Sequence, residues 1–382
     1  MLNLKVIGAG AAGNKAAIML SEKEGFNIED ITLINSTSRD IPDKYKNNSI
    51  IFGASADTLG GCGKERAVGT NLILRDLKTG NINIDGIVDP STKAVVIVSS
   101  TEGGSGSAVT PVLAKYITEV IGIPVIVILF FGFNSDVRGM QNSIEICQDL
   151  KDTYGVIGIS NAKFLNDANG NKIRAEELAN EEFCRIVRIL SGSDIHAGRQ
   201  NIDDTDLYKL IVTPGYMCIG TANLKGTKNI DMFNKAINTA IDETKLIDSN
   251  NKVVKRIGAI FDIPASMDDA VDYNAAVLTQ RYGVPYEMFT HVQNESATGE
   301  ITWIAAGMDL PIDEVKEIFE NYKKASETVN KKKDSFFSEI AGFNGNKDDS
   351  MFNMLNIGGK KEATTKAAKN SFFDDYFGNA NK

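Results

Sequence analysis

The chain has 382 residues, enough for two domains with cores of their own. A hydrophobic fraction of 42% beside 24% charged residues is ordinary for a globular protein in water, and a formal net charge of −9 argues against strong direct DNA binding by the core. Cys62, Cys147, Cys184 and Cys218 form no C-x-x-C pair, so reduced thiols in a cytoplasmic protein are expected, and two histidines leave little room for a histidine triad or a multi-histidine metal site. "MLNLKVIGAG" is too short and too glycine-broken for a signal peptide, and no run reaches the ~18 apolar residues of a membrane span.

In chain order, "LNLKVIG" predicts a strand and "GNKAAIMLSEK" a helix. Strands follow at "DITLINS" and "KAVVIVSS", then a helix at "SAVTPVLAKYITEVIG". "PVIVILFF" is a strand, "VRGMQNSIEICQDLKDTYG" a helix and "GVIGISN" a strand. This alternation predicts an α/β fold: a parallel sheet with helices on both faces, and a ligand at the C-terminal strand ends. A long helix is expected from about Arg174 to Ile195, since Leu178, Phe183, Ile186, Val187 and Leu190 recur at helical spacing. Residues 207–311 read as a second α/β domain, with strands at "YMCIGTANL", "VVKRIGAIFDI", "EMFTHVQNE" and "EITWIAAGMD" and helices at "IDMFNKAINTAIDETKL" and "DAVDYNAAVLTQRYG". Residues 312–334 read as a C-terminal amphipathic helix and 335–382 as a flexible polar tail, in which "KDSFF" near its start recurs as "KNSFF".

Three glycine-rich segments carry the functional signal. "GAGAAG" (Gly8 to Gly13) fits G-x-G-x-x-G between a strand and a helix. A nicotinamide dinucleotide site would want an acidic residue at the end of the next strand, and "ITLINS" supplies Asn35 and Ser36 instead. A second segment, "LGGCGKERAVG", includes Gly61 and Gly63. The third, "STEGGSGSA", follows the strand "KAVVIV". One such loop is read most safely as a tight turn. Three at one sheet edge suit a polyphosphate, because bare backbone N–H groups and helix N-termini can approach its oxygens. No Walker pattern is present.

These residues resemble the tubulin/FtsZ family. "GAGAAGN" fits its first loop, with Gly10, Ala11, Ala12 and Asn14 as expected nucleotide contacts. "EGGSGSA" resembles its G-G-G-T-G-[ST]-G loop: Gly103, Gly104, Gly106 and the hydroxyls of Ser105 and Ser107 are kept, while Glu102 and Ala108 replace glycines. "GRQNIDDTD" places Gly198, Asn201, Asp203 and Asp206 at every required position of the family's synergy loop. "FNSDVR" resembles its ribose-contacting segment, with Asn134 where the family has Glu and Arg138 kept. "GISNAKFL" puts Asn161 in the base-binding place, and Asn180 falls where a second purine contact is expected. The resemblance covers about residues 1–311 and leans toward the plasmid and phage partition branch, TubZ, because the phosphate loop diverges and "SFFDDYFGNANK" lacks the apolar-acidic peptide of cell-division FtsZ.

The resemblance implies a GTP-binding domain over 1–173, a central helix and synergy loop over 174–206, and an activation domain over 207–311. It implies GTP or GDP with Mg²⁺ in the glycine cradle. Asp203 and Asp206, with Asn201, would act on the nucleotide of a neighbouring copy in a head-to-tail homopolymer, although the same two aspartates also fit an ordinary helix N-cap. A DNA-bound adaptor is the expected partner of the tail, and no membrane partner is expected. Ring formation in cell division is the alternative.

Overall fold

The computed structural model describes residues 1–324 apart from 24, 55–59, 152, 154, 248, 250–252 and 323. β1 (Leu4–Ala9) runs into α1 (Gly10–Ser21); β2 (Ile31–Asn35) and the short β3 (Ser49–Ile51) precede α2 (Arg66–Thr79) and β4 (Ala94–Ser100). α3 (Ser105–Tyr116), β5 (Val125–Phe131), α4 (Val137–Asp149), β6 (Val156–Ser160) and α5 (Lys172–Ser191) follow. Then come α6 (Asp204–Ile211), β7 (Tyr216–Asn223), α7 (Ile230–Asp242), β8 (Arg256–Asp262), α8 (Ala276–Tyr282), β9 (Glu287–Gln293), β10 (Glu300–Met308) and a helix over 312–322. The tail expected over 335–382 and the far end of the helix expected over 312–334 lie outside the described residues.

The strands form one sheet in the order β3-β2-β1-β4-β5-β6-β7-β10-β8-β9. β1 to β6 pair in parallel, and β4 and β5 are apolar and buried along nearly their whole length, as strands covered on both faces must be. α1 and α5 cover one face, while α2, α3 and α4 cover the other. The order reverses between β1 and β4, the position where an open α/β sheet leaves a crevice at its C-terminal edge. β6 meets β7 through a single pair, Val156 with Tyr216, and β10 then runs antiparallel to both β7 and β8. A third cluster, around Phe233, Phe261 and Trp303, fills this far half.

α5 starts earlier and stops sooner than its apolar spacing predicts. The Asn171 side chain accepts the Ile173 and Arg174 N–H groups and caps the start, and Gly192, at φ +70°, ends the helix in a left-handed turn. Phe183, Ile186, Val187 and Leu190 are buried as expected, at about 1.5–3 kcal/mol for each large side chain. The helix expected over "DAVDYNAAVLTQRYG" shrinks to α8. The Asp272 carboxylate captures the Asn274 and Ala276 N–H groups, and Ala275 takes φ +48°, which delays helix entry.

Candidate functional site

A cleft of about 310 Å³ opens at the β1/β4 reversal. Gly10, Ala11 and Ala12 line it from the first turn of α1, Gly61 from the second glycine segment, and Gly103, Gly104, Ser105 and Gly106 from the entry to α3. Gly10 takes φ +73°, and a Cβ there would stand 2.8 Å from the Gly106 nitrogen, so the first and third loops touch. The third loop packs equally hard on the second: a Cβ at Gly104 would stand 2.7 Å from the Lys64 backbone. The bare backbone expected of the cradle thus serves loop-on-loop packing.

α1, α2 and α3 begin without a side-chain cap, whereas α4, α5, α6 and α7 are capped by Asp136, Asn171, Asp203 and Asn229. Two of the uncapped ends, those of α1 and α3, open on the cleft, each with roughly half a positive charge. Asn14 is 1% exposed, yet neither its Oδ1 nor its Nδ2 has a partner among the described residues. Asn161, just past β6, is also buried with its Oδ1 unpartnered. Neither residue lines the cleft, and the Oδ1 atoms of Asn142 and Asn234 are unpartnered in the same way, so these amides do not by themselves locate a ligand.

The remaining residues of the glycine segments divide by role. Ser107 points away from the cleft: its hydroxyl donates to the Gly103 carbonyl, and its own carbonyl accepts from the Arg66 guanidinium at 3.2–3.3 Å. Arg66 also pairs with Glu145 and Asp149 on α4, so it braces the first turn of α3 from behind. The Glu102 carboxylate lies against Gly132 and accepts the Asn134 N–H at 3.1 Å, while Asn134 itself takes φ +53°. Burial, with Asp136 adding to it, raises the Glu102 pKa above the ordinary value. Arg138 faces the second segment, donating to the Lys64 carbonyl at 3.3 Å and pairing with Glu65. Lys64 in turn bonds Asp136 at 2.5 Å and, with the Gly139 N–H, holds that carboxyl below its usual range. Gly63, at φ +54°, turns the chain without lining the cleft, and Asn180 lies half-buried in mid-α5.

The cleft also takes Asn35 and Ser36, which the sequence reading weighs only against a nicotinamide site, and Thr37 and Asp40, which it passes over. The Ser36 and Ser105 hydroxyls stand 2.7 Å apart and tie the β2 end to the α3 entry. The signal was present in "NSTSRD", a polar run directly after a buried strand. Asp40 and these hydroxyls are hard oxygen donors of the kind Mg²⁺ takes. Among the described residues no three His, Cys, Asp or Glu side chains converge as a metal site.

At the other end of α5, a cavity of about 200 Å³ is lined by Asn201, Asp203, Asp204, His196 and His291. Asp203 is the N-cap of α6, its carboxylate accepting the Asp206 N–H at 2.8 Å. Asn201 folds back on Gly198, accepting its N–H at 2.9 Å. Asp203 is extended, so the two aspartates do not share one helical face as a fully helical segment would place them. Among the described residues no helix is long and apolar enough to cross a membrane.

Residues 3–169 match the model of the Tubulin/FtsZ family GTPase domain. Tubulin-like protein CetZ2 of Haloferax volcanii is 23% identical over 244 residues, 61% of this chain and 67% of that protein. The GTPγS-form protofilament of Bacillus thuringiensis serovar israelensis TubZ superposes with a TM-score of 0.69 at 16% identity, covering 87% of this chain and 93% of that one. The GTPγS-bound protofilament of Haloferax volcanii CetZ2 also gives 0.69, at 17% identity over 86% and 100% of the two chains. The uncapped helix ends and the touching glycine loops lie within the matched segment: residues 3–169 are similar to the Tubulin/FtsZ family GTPase domain, and the chain shares its fold with TubZ and CetZ proteins.

Proposed function

We propose that this chain binds GTP in the β1/β4 cleft, assembles head to tail, and hydrolyses GTP at the contact between successive copies. The observation that carries the reading is the cleft itself: two open helix N-termini, those of α1 and α3, line it on touching glycine loops. Gly10, Ala11, Ala12, Gly103, Gly104, Ser105 and Gly106 would receive the phosphates. Asn161 and Asn180 would meet the purine, and Asn134 and Arg138 would border the ribose. Mg²⁺, held by phosphate oxygens with Asp40 and the Ser36 and Ser105 hydroxyls nearby, would offset the charge that develops on the phosphates.

α5 has 20 residues, which at ~1.5 Å each sets the two ends of the helix about 30 Å apart. Asn201, Asp203 and Asp206 therefore sit too far off to serve their own cleft, and a stacked neighbour's nucleotide is within their reach. Such a contact is heterologous and does not close, so it propagates as a filament. Light scattering and phosphate release with GTP, GDP and ATP test this. Assembly with GTP alone supports it, and equal assembly with ATP or with no nucleotide refutes it.

For the cellular role we favour segregation of plasmid or phage DNA, with the tail over 335–382 binding a DNA-bound adaptor. The TubZ superposition and the departures in the phosphate loop support it. Removing 335–382 should leave GTP turnover intact and abolish co-sedimentation of filaments with an adaptor–DNA complex. Equal co-sedimentation with and without the tail would refute the adaptor role of the tail. A role in cell division remains the alternative that a membrane-ring phenotype would select.

A further inference from the structure

His291 stands inside β9, 1% exposed, with one ring nitrogen on the loop that carries Asn201 and Asp203 and the other on Gln293 of its own strand. Its Nδ1 accepts the Ile202 N–H at 3.2 Å, between those two residues. An accepting Nδ1 fixes the proton on Nε2, which donates to the Gln293 Oε1 at 3.0 Å. That oxygen also accepts the His196 N–H at 2.9 Å, and the Gln293 Nε2 donates to the Asp194 carbonyl and to Asp262. One amide and one imidazole, both buried, thus hold residues 194, 196 and 202 against the sheet edge. The main chain adds a strap between them, since Arg199 N–H donates to Val292 O at 2.7 Å and Val292 N–H to Gln200 O at 2.9 Å.

An alternative use of the ring fails on geometry. Both ring nitrogens are already engaged, so neither is free to ligate a metal. A buried imidazole committed at both nitrogens acts through what it holds.

We infer that His291 is a positioning residue for hydrolysis: by accepting the Ile202 N–H at Nδ1, it sets the height and angle at which Asn201 and Asp203 are presented to a neighbouring copy's nucleotide. This rests on the reading of residues 198–206 as the activating loop. A loop displaced by about 1 Å loses up to about 100-fold in turnover while each copy's own GTP site, at the far end of α5, is untouched.

The test compares full-length wild type with His291→Leu, His291→Asn and Asp203→Asn. GTP affinity, polymer yield with a slowly hydrolysed GTP analogue, phosphate release per sedimented subunit and hydrogen exchange at the Ile202 amide are measured in each. Expected for His291→Leu are unchanged affinity and polymer yield, turnover lower by up to about 100-fold, and faster exchange at Ile202. His291→Asn, whose Oδ1 stands where Nδ1 stood, should restore turnover and protection together. A His291→Leu protein that turns over normally while Asp203→Asn is slow overturns the inference and leaves the loop assignment standing. Normal turnover in Asp203→Asn overturns the loop assignment and the inference with it. If His291→Leu does not fold, His291→Gln, whose oxygen moves off the Nδ1 position, replaces it under the same outcomes.

Discussion

Asp203 has two candidate occupations, capping a helix and activating a water, and substitution can separate them. Its carboxylate accepts the Asp206 N–H at 2.8 Å and starts α6, an eight-residue helix that buries Leu207, Leu210 and Ile211. Asp203→Ala removes the cap and should cost about 1 kcal/mol of folding stability. Asn caps about as well as Asp, so Asp203→Asn should unfold within a few tenths of a kcal/mol of wild type. If the carboxylate also orients or deprotonates a water, both variants lose it, and turnover should fall by about 10²–10⁴-fold in each. Urea midpoints and phosphate release per sedimented subunit are the two readouts. Asp206→Asn is a clean companion, because Asp206 contributes only its backbone N–H to the cap. The reasoning is refuted if Asp203→Asn hydrolyses at the wild-type rate while Asp203→Ala is slow and unstable together, since the residue would then be a cap and nothing more.

Gly106→Ala sets a Cβ 2.4 Å from Ser99 Oγ and 2.5 Å from Ala9 O, so α3 must lift from the sheet edge; about 1–3 kcal/mol of stability and most of the nucleotide affinity should be lost, read by denaturation and fluorescent-nucleotide titration. Arg199, and then Tyr273, bond the Asp268 carboxylate and hold it at about 2 against an ordinary 3.8. Because the folded value is depressed, this contribution is complete above the ordinary value and is lost as the pH falls toward about 2; Arg199→Gln should return the Asp268 midpoint toward 3.8 in a carboxyl NMR titration. The Glu102 pKa is raised by burial, so its ionised form weighs against the fold as the pH rises through the folded value. Glu102→Gln should therefore be more stable than wild type at neutral pH, with the gap closing in acid, and should bind GTP more tightly for want of a negative charge near the cradle.

The parallel half of the fold was legible because its strands are continuous apolar runs and its loops are glycine-rich, two signals that tertiary context rarely overrides. The helix around α8 was not, because a single side chain, Asp272, diverts two backbone donors, and residue spacing carries no trace of that. In the cleft, Gly10 and Gly103 to Gly106 were readable as motif. The Asn35 to Asp40 contribution was hidden, since a polar run after a strand looks like any loop until the β1/β4 reversal brings it to Ser105. Arg66 was invisible for a similar reason: its partners lie on α3 and α4, 41 to 83 positions away. Asp203 reads as a helix cap from its spacing and as an activating residue from the family resemblance; the structure shows the cap.

β9 is the last strand of the sheet, and a last strand exposes a row of unpaired N–H and C=O groups on which another chain's strand can grow. Here Arg199 and Gln200 pair with Val292 on that outer edge, and a Cβ at Gly198 would lie 2.0 Å from the Val292 carbonyl. The loop therefore works as a stopper: the same few residues that would meet a neighbour's nucleotide keep strands from adding where order must end. Any side chain at position 198 would pry the stopper loose. Such variants should show disordered, β-rich aggregation, and if the proposed activating role of the loop holds, a loss of turnover with it.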